Sequence, residues 1–217
     1  MANLSPVVNK TNSAKINDAL LFDFTIIDLG TFGTNGDDYF FSYGAATYYG
    51  LGGNDTIIAG EYGKAHFSGG DGDDYLRGSR WHDVLSGDAG NDLIDGNAGN
   101  DLMKGGSGND TLKGSRGEDE LHGGIGNDII DGGVENDKLW GDAGKDVFVF
   151  GKNMAFDTIM DFEDGVDRID VSYCNLAAPP LVIDDGAGNA LVFIDNNNKV
   201  LVLGVSAAQL TASDFIL

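Results

Sequence analysis

Residues 105–114 read GGSGNDTLKG, a stretch that is rich in glycine and contains one acidic and one bulky apolar residue. Near-copies flank it, GNAGNDLMK from Gly96 and GSRGEDELH from Gly114. Aligned on their first glycine, the copies repeat every nine residues without a gap from Gly69 to Val149. A short, fixed period of this kind predicts a solenoid, in which each unit packs only on its neighbours.

Twelve units can be aligned, because three looser copies begin upstream at Gly33, Gly50 and Gly60. Position 8 is large and apolar in all twelve, and position 6 is aspartate in all except the unit that contains Ala65. The position-6 aspartates are Asp38, Asp55, Asp74, Asp83, Asp92, Asp101, Asp110, Asp119, Asp128, Asp137 and Asp146. Chance does not produce two such positions, so we expect both to serve the fold or a common site.

The nine-residue unit has a direct structural interpretation. Its first six residues favour a turn, because glycine adopts positive φ without steric cost. Its last three residues are long enough for a minimal strand whose middle side chain, at position 8, points inward. Two units then complete one coil, so that residues 18 apart stack at a strand spacing of about 4.8 Å. The sequence thus predicts an all-β roll with a thin apolar core between two sheets.

Stacking brings the aspartates of alternate units together in two columns. The first column is predicted to contain Asp74, Asp92, Asp110, Asp128 and Asp146. The second column is predicted to contain Asp83, Asp101, Asp119 and Asp137. Carboxylates this close repel each other strongly unless a cation lies between them. Because Ca²⁺ accepts six to eight oxygen ligands, the seven adjacent pairs in these columns predict about seven Ca²⁺ sites.

Backbone carbonyls of the turns are the expected further ligands, because glycine leaves them free to face the ion. The first-column glycines predicted to take part are Gly69, Gly72, Gly87, Gly90, Gly105, Gly108, Gly123, Gly126, Gly141 and Gly144. Asp38 and Asp55 of the looser units are candidate ligands as well. The second column has Trp81 and Glu135 where position 4 is otherwise glycine. We therefore expect tighter and better-ordered sites in the first column.

The composition also favours cations as ligands. The net charge is −22, from 35 acidic and 13 basic side chains, whereas nucleic acid binding needs clustered Lys and Arg. No stretch approaches the roughly 18 apolar residues of a membrane-spanning helix. The single cysteine, Cys174, excludes an intrachain disulfide. We therefore expect no nucleic acid partner and no transmembrane segment.

The units GGDGDDYLR, GDAGNDLID, GGSGNDTLK and GGIGNDIID closely resemble the hemolysin-type calcium-binding nonapeptide, or RTX repeat. The resemblance covers residues 33–149, more than half of the chain. It implies a right-handed parallel β-roll that binds Ca²⁺ in its turns. Residues 1–32 are then interpreted as a cap for the open end of the roll.

A second resemblance begins where the repeats end. Residues 141–172 are similar to the segment that closes the roll in serralysin-type metalloproteases, which implies that Asp157 and Asp161 help to order this end. Three β-prone runs follow, LVID, ALVFID and KVLVLG, joined by turn-rich DGAGN and NNN. Residues 150–217 are therefore predicted to form a β-rich C-terminal cap.

The two ends of the chain bear on localisation. The N-terminal stretch has no basic region followed by an apolar run, so no signal peptide of the Sec type is expected. Taken alone, this would indicate a cytosolic protein. The last residues, ASDFIL, resemble the uncleaved C-terminal signal for type I secretion. This resemblance implies a secreted, extracellular bacterial protein whose partner during export is the type I secretion machinery.

The sequence argues against catalysis. Serralysin-type proteases need a zinc-binding His-Glu-x-x-His helix, but the only histidines are His66, His82 and His122. None of them has that spacing, and no Gly-x-Ser-x-Gly motif is present. We therefore predict no catalytic residues, and interpret the chain as a calcium-binding protein whose folding is triggered by extracellular Ca²⁺.

Two alternatives stay open. The chain is the C-terminal part of a secreted enzyme, such as a serralysin-like protease or an alginate-modifying enzyme, or it is a polysaccharide-binding, matrix or adhesion module. The second alternative rests on Arg80 and Arg116 in the turns and on aromatic residues outside the predicted core positions. These aromatic residues are Tyr39, Tyr48, Tyr49, Tyr75, Trp81 and Trp140. Packing of these rings against the two caps is the competing interpretation.

Overall fold

The computed structural model describes residues 31–152, 154–176, 179–195 and 197–217. The predicted N-terminal cap lies outside these residues, apart from its last two positions. In chain order, the first ten strands are β1 (Thr31–Phe32), β2 (Tyr39–Ser42), β3 (Ala46–Gly52), β4 (Thr56–Ala59), β5 (Ala65–Asp71), β6 (Tyr75–Arg77), β7 (Val84–Ala89), β8 (Leu93–Asp95), β9 (Leu102–Ser107) and β10 (Thr111–Arg116).

Ten further strands complete the described part of the chain. They are β11 (Glu120–Ile125), β12 (Ile129–Val134), β13 (Lys138–Ala143), β14 (Val147–Val149), β15 (Phe156–Ile159), β16 (Arg168–Asp170), β17 (Leu181–Asp184), β18 (Ala190–Phe193), β19 (Lys199–Val202) and β20 (Phe215–Ile216). Two short 3₁₀ turns lie at Ser172–Cys174 and Ala212–Asp214. Among the described residues, no helix is long and apolar enough to cross a membrane.

Strands β1 to β16 alternate between two sheets, named here by the odd or even numbers of these strands, and β17, β18 and β19 all join the odd-numbered sheet. The odd-numbered sheet has 11 strands in the order β1-β3-β5-β7-β9-β11-β13-β15-β19-β18-β17, and the even-numbered sheet has nine in the order β2-β4-β6-β8-β10-β12-β14-β16-β20. Leu112 pairs in parallel register with Ile94 on one side and Ile130 on the other, which are 18 residues away in each direction. The predicted all-β parallel roll with two strands per coil is confirmed.

The core between the sheets is built from the position-8 side chains. Those exposed by 2% or less are Ile57, Phe67, Leu76, Leu85, Ile94, Met103, Leu112, Leu121, Ile130, Leu139 and Phe148. The first of the twelve, Phe40, is only partly buried. Each fully buried side chain of this size contributes roughly 1.5–3 kcal/mol to stability. The core is therefore a continuous stack of apolar side chains. Each coil adds two of them, one from each sheet.

Tyr48 was predicted to lie outside the core, and this prediction is wrong. It is 4% exposed, and its ring stacks on Phe40 at a centroid distance of 4.2 Å. Tyr48 pairs with Phe67 across β3 and β5, so it occupies the inward position of an additional coil. Its spacing of 19 residues from Phe67 departs from the period of 18 and concealed this role.

The two sheets continue past the last repeat. β15 and β16 extend them in parallel, and Ile159 and Ile169 are fully buried in line with the core. β19 then pairs in parallel with β15, whereas β18 and β17 add antiparallel hairpins. The C-terminal strand β20 returns to pair with β16. A β-rich C-terminal cap is thus confirmed, while the division of the chain at residues 32 and 149 stays a prediction.

Candidate metal centre

The six-residue turns lie in two columns, one at each edge of the roll. Turns of the first column precede the even-numbered strands and turns of the second column precede the odd-numbered strands. The structure places Asp38, Asp55, Asp74, Asp92, Asp110, Asp128 and Asp146 in the first column. It places Asp83, Asp101, Asp119 and Asp137 in the second column. The sequence therefore predicted which aspartates stack on one another.

One oxygen of each aspartate joins the stacked turns. Asp74 N–H donates to Asp92 Oδ1 at 2.7 Å, and Asp92 N–H donates to Asp110 Oδ1 at 2.8 Å. The same bond recurs from Asp38 to Asp167 in the first column. In the second column it recurs from Ala65 to Asp157. Apart from Asp38, each position-6 carboxylate thus fastens its own turn to the preceding turn.

The other oxygen of most of these aspartates has no partner. The carboxylates are nearly inaccessible to solvent, with exposed fractions of 1–3%. The side chains whose Oδ2 atom is buried and makes no hydrogen bond are Asp55, Asp74, Asp92, Asp101, Asp110, Asp119, Asp128 and Asp137. A buried polar atom without a partner costs about 1–3 kcal/mol, and more when it is charged. Eight such atoms in two rows need a common explanation.

Each unpartnered oxygen lies against the first glycine of its own turn. At Gly105, a Cβ atom would overlap both Asp110 Oδ2 and the carbonyl oxygen of Gly123 in the next turn. Gly69, Gly87, Gly123 and Gly141 face the Oδ2 atom of their own position-6 aspartate in the same way. Glycine is therefore required at position 1 by packing against oxygen atoms. The turn brings carboxylate and carbonyl oxygens together without a hydrogen-bond donor between them.

Glycine is required at position 4 for a different reason. Gly108 has φ of 131°, a region that L side chains rarely adopt, and a Cβ atom there would overlap the carbonyl of Gly90 in the preceding turn. The same overlap with the preceding turn occurs at Gly72, Gly90, Gly126 and Gly144. Nine of the ten glycines predicted for the first column thus lie so close to a neighbouring turn that a side chain would push the turns apart, whereas a side chain at Gly141 would meet Asp146 of its own turn.

Burial raises the pKa values of these aspartates. The pKa of Asp101 and Asp137 is raised to about 8, and that of Asp92 to about 7, chiefly by desolvation. Coulombic repulsion from the neighbouring carboxylates of the same column raises these pKa values further, whereas the backbone N–H donors lower them. Without a cation, Asp92, Asp101 and Asp137 therefore resist ionisation near neutral pH.

The unpartnered Oδ2 atoms lie close to backbone carbonyl oxygens, and a group of oxygen atoms suits a hard divalent cation. Among the described residues, no three His, Cys, Asp or Glu side chains converge on one point. Any ion would therefore have to combine carboxylate oxygens with backbone carbonyls, which is the mixed ligand set that Ca²⁺ accepts. The unpartnered Oδ2 atoms and the close carbonyls fit this ion.

Four turns at or near the ends of the columns close on their own aspartate. In these turns the residue at position 2, or its counterpart outside the repeats, donates its backbone N–H to Oδ2 of the turn's own aspartate. Asp83 receives this bond from Ser79 at 2.5 Å, and Asp38 receives it from Thr34 at 2.6 Å. The equivalent bonds at the C-terminal end run from Glu163 to Asp167 and from Thr211 to Asp214.

The backbone at position 2 separates the two kinds of turn. In the nine interior turns this residue has φ between 64° and 118°. These residues are Leu51, Gly70, Asp88, Asn97, Gly106, Ser115, Gly124, Gly133 and Asp142. Thr34 and Ser79 do not have positive φ, and their N–H groups close the turn instead. A left-handed residue at position 2 thus accompanies a free carboxylate oxygen.

Asp157 and Asp161, the two aspartates predicted to order the end of the roll, occupy different positions. Asp157 accepts the N–H of Asp137 at 3.0 Å and so extends the second column by one turn. Asp161 accepts the N–H groups of Gly141 and Asp142, both at 2.9 Å, with its two oxygens. Asp157 therefore continues a column, whereas Asp161 covers the last turn of the other column.

Asp167 was missed by the sequence reasoning. Its Oδ1 accepts the N–H of Asp146 at 2.9 Å, so it adds one more turn to the first column. The signal for it was the run DRID, in which aspartate precedes a three-residue strand with a central apolar residue, as in the repeats. The spacing of 21 residues from Asp146 concealed this match.

The second column departs from the first at two turns. Glu135 at position 4 has φ of 82°, which strains a residue with a side chain. Trp81 is not in that region, and its N–H donates to Ser79 Oγ within the turn that Asp83 closes. Both departures occur at the two position-4 residues that are not glycine in the sequence. The prediction of weaker sites in the second column is still untested.

A sequence model of known proteins matches much of this roll. The model for the RTX calcium-binding nonapeptide repeat matches residues 42–61, 68–103, 104–139 and 126–152 in four copies. No curated protein matches the chain by sequence.

Two solved structures resemble the fold. The extracellular lipase LipA from Serratia marcescens is 16% identical, with a TM-score of 0.40 over 87% of this chain. The AlgE6R3 subunit of the Azotobacter vinelandii mannuronan C5-epimerase is 26% identical, with a TM-score of 0.27 over 67% of this chain and 78% of that one. The chain spans 40% of the length of the lipase.

Proposed function

We propose that this chain, whose roll consists of RTX calcium-binding nonapeptide repeats, is a secreted protein that folds when it meets extracellular Ca²⁺ and has no enzymatic activity of its own. The single observation that carries this proposal is the set of eight buried Oδ2 atoms without a hydrogen-bond partner. They lie beside glycine carbonyls in turns where no donor is available to them. Burial of these groups in their ionised form costs free energy and opposes folding unless a cation binds beside them.

The energetics follow from the two columns. In the absence of a cation, repulsion between stacked carboxylates and their desolvation oppose closure of the turns. When bound, Ca²⁺ supplies positive charge and accepts six to eight oxygen ligands. The repeat register offers seven pairs, and seven such ions would offset 14 of the 22 net negative charges. The free energy of metal binding then becomes free energy of folding.

The position of the C-terminus supports export before folding. The last strand, β20 (Phe215–Ile216), pairs with β16 (Arg168–Asp170) in the even-numbered sheet. Asp214 and Phe215 are 2% and 7% exposed. Ala212, Ser213 and Leu217 are exposed. A type I secretion machinery that reads the whole of ASDFIL would therefore need β20 to be unpaired and its two buried residues to be released. We propose that low cytosolic Ca²⁺ keeps the roll open and that extracellular Ca²⁺, at roughly 10⁻⁴–10⁻³ M for modules of this kind, closes it.

The histidines support the non-enzymatic part of the proposal. His82 Nδ1 accepts the N–H of Asn100 at 2.7 Å, so that this ring joins stacked turns. His122 stacks on Trp140 with a centroid distance of 4.3 Å. Both rings thus have packing roles on the outside of the roll, where His122 also contacts the carboxylates of Glu120 and Asp142.

Far-UV circular dichroism tests the proposed function. The EDTA-stripped protein should show a disordered spectrum and convert cooperatively to a β spectrum as Ca²⁺ is added. An equal concentration of Mg²⁺ should not replace it, because Mg²⁺ requires near-ideal octahedral geometry and keeps its waters. A metal-free protein at neutral pH with the full β spectrum would contradict calcium-triggered folding.

A further inference from the structure

The even-numbered sheet turns two rows of side chains away from the core. In β10, for example, Leu112 is buried, whereas Thr111 before it and Lys113 after it point outward. Because the strands pair in parallel register, the residues before position 8 stack on one another, and so do the residues after it. We call these rows the neutral row and the charged row, and we call the surface that they form from β2 to β16 the even face.

The neutral row contains no charged side chain from β2 to β14. It consists of Tyr39, Thr56, Tyr75, Leu93, Thr111, Ile129 and Val147. Leu93 and Ile129 are bulky and apolar, yet they are 42% and 45% exposed. All-parallel sheets usually have both faces covered. A continuous exposed row of this kind therefore indicates a contact surface.

The charged row alternates in sign at its centre. From β2 to β16 it reads Phe41, Ile58, Arg77, Asp95, Lys113, Asp131, Val149 and Asp170. Neighbours within one chain attract each other, and Arg77 Nε lies 3.7 Å from Asp95 Oδ2. With Arg168, which follows Val147 in the other row, the even face carries three basic and three acidic side chains. It is thus neutral in a chain whose net charge is −22.

The order of these charges is complementary to itself when the sheet is reversed. Eight strands, β2 to β16, form the even face, and a two-fold axis parallel to the strands between β8 and β10 bisects it. A second copy related by this axis would place Asp95 opposite the partner's Lys113. It would also place Arg77 opposite the partner's Asp131. Symmetry repeats both contacts, so that four pairs of opposite charges face each other.

Uncharged side chains also match under the same axis. The resulting contacts are Tyr75 with the partner's Ile129, Leu93 with the partner's Thr111, Thr56 with the partner's Val147, and Ile58 with the partner's Val149. Only at the outer end do unlike side chains meet, Phe41 with the partner's Asp170. Burial of apolar area therefore adds to the attraction between the charges.

Other arrangements of two copies are less favourable. A shift by one strand moves the axis onto β8 or β10, where Asp95 would face the partner's Asp95, or Lys113 the partner's Lys113. An axis along the roll would instead set Arg77 against the partner's Tyr75, so that charges would be buried against uncharged side chains. Like-charge contacts across an interface are costly. The charge order thus specifies one register and an antiparallel orientation of the two rolls.

Tyr173 lies beside the charged row and supplies a further match. It is 66% exposed and lines a cavity of about 510 Å³ with Lys113 and Asp131. Towards the other end of the row, a cavity of about 490 Å³ is lined by Ile58 and Arg77. Because the axis brings β10 and β12 opposite β8 and β6, the partner's Tyr173 would reach this second cavity. Its ring could there contact the guanidinium group of Arg77.

We propose that two copies of this chain associate through the even face as an antiparallel dimer. Eight strands give a contact about 38 Å long and about 10 Å wide. This size is at the lower end for specific interfaces, so we expect a Kd in the micromolar range. The inference goes beyond the proposed function, because the even face lies away from the metal-binding turns. It requires only that the roll is folded.

Sedimentation equilibrium of the full chain in saturating Ca²⁺, from micromolar to millimolar protein concentration, tests the dimer. We expect a reversible equilibrium between monomer and dimer. Lys113→Asp sets two carboxylates against each other at both contacts with Asp95, and it should weaken the dimer about a hundredfold. The double variant Asp95→Lys/Lys113→Asp restores opposite charges across the interface. It should recover the affinity to within about tenfold of the wild type.

The matched control is Lys104→Asp, which makes the same charge reversal at an exposed residue of β9 in the odd-numbered sheet. It should dimerise like the wild type. Within one chain the double variant places like charges on neighbouring strands, so a recovered dimer cannot result from a more stable roll. A dimer that persists in Lys113→Asp, or that the double variant does not recover, would overturn the even face as the interface.

Circular dichroism on each sample separates the two proposals. A wild-type protein that lacks the β spectrum in Ca²⁺ contradicts the proposed function. A folded wild-type protein that stays monomeric at every concentration contradicts only the dimer.

Discussion

The turns of Asp110 and Asp83 are built from the same nine-residue unit but treat their aspartates differently. Both side chains are buried, and both use Oδ1 to fasten the preceding turn. Asp83 Oδ2 accepts the N–H of Ser79, whereas Asp110 Oδ2 has no partner. A position-6 aspartate is therefore not sufficient to mark a metal site. The backbone at position 2 decides whether the second oxygen is left free.

This difference has a consistent place in the molecule. Free oxygens occupy the interior of both columns, and closed turns lie at or near the ends. The closed turn of Asp83 is the second of its column, after the turn of Ala65. A closed turn needs no cation and can end a column without an exposed, half-formed site. We therefore expect the middle of the roll to depend on a bound cation more than the closed turns do.

The largest expected effect is the pH dependence of the metal-free protein, to which the interior turns contribute most. The pKa of Asp101 and Asp137 is raised from 3.8 to about 8, and that of Asp92 to about 7. Groups whose folded pKa is raised contribute stability that is fully present below the unfolded pKa. This stability is lost as pH rises through the folded pKa. The metal-free roll should therefore be folded near pH 5 and unfolded near pH 8.

Urea unfolding in EDTA at the two pH values measures this effect. The calcium-loaded protein is the control, and it should show the opposite trend, because its ligand carboxylates must be ionised. A metal-free protein with an equal or higher urea midpoint at pH 8 would contradict the pKa shifts and their assigned cause.

A smaller effect is expected when a single aspartate is replaced, either in an interior turn or in a closed turn. Asp110→Asn removes a charge from an interior turn and should cost about 3 kcal/mol in saturating Ca²⁺, the contribution of one well-filled site. Asp83→Asn changes a closed turn and should cost about 1 kcal/mol, the value of one hydrogen bond. In EDTA the order should reverse, with Asp110→Asn stabilising the metal-free chain because it removes repulsion.

Chemical denaturation of both variants, with and without Ca²⁺, gives the four free energies of unfolding to be compared. Equal losses for the two variants in Ca²⁺ would show that open and closed turns contribute alike. That result would remove the distinction between the interior and the ends.

The smallest expected effect comes from converting one kind of turn into the other. Ser79→Gly allows positive φ at position 2 and removes the hydroxyl that bonds Asp83 Oδ1 at 3.1 Å. We expect a stability change of about 1 kcal/mol or less and one additional bound Ca²⁺ per chain. Equilibrium dialysis with radioactive calcium measures the stoichiometry. Ser115→Gly, at a position 2 that already has φ of 78°, is the matched control and should add no ion.

Much of the fold could be predicted because the repeat has a strict period. Gly105, Asp110 and Leu112 recur at intervals of nine, so their counterparts had to stack once two units made a coil. Tyr48 and Asp167 were missed for the converse reason. Their intervals of 19 and 21 residues break the period, although their side chains occupy the same places in the coil.

The candidate metal site was predicted in part. The stacking of the aspartates in two columns and the close packing of the first-column glycines were predicted, because both follow from the period of the repeat. That these residues bind a metal stays a prediction. The closed turns of Asp38 and Asp83 were not identified. They depend on the sign of φ at Thr34 and Ser79, and a residue type indicates this sign only weakly: Ser115 has positive φ and Ser79 does not.

The sequence by itself determined the all-β roll, its coil of 18 residues, the inward row of apolar side chains and the two columns of aspartates. These features depend only on which residues recur, because a solenoid repeats its contacts at the period of its sequence. The tertiary structure alone decided which carboxylate oxygens are left without a partner and that Tyr173 lies beside the charged row of the even face. These features depend on the backbone conformation of single turns and on side chains from different coils, which the period does not specify.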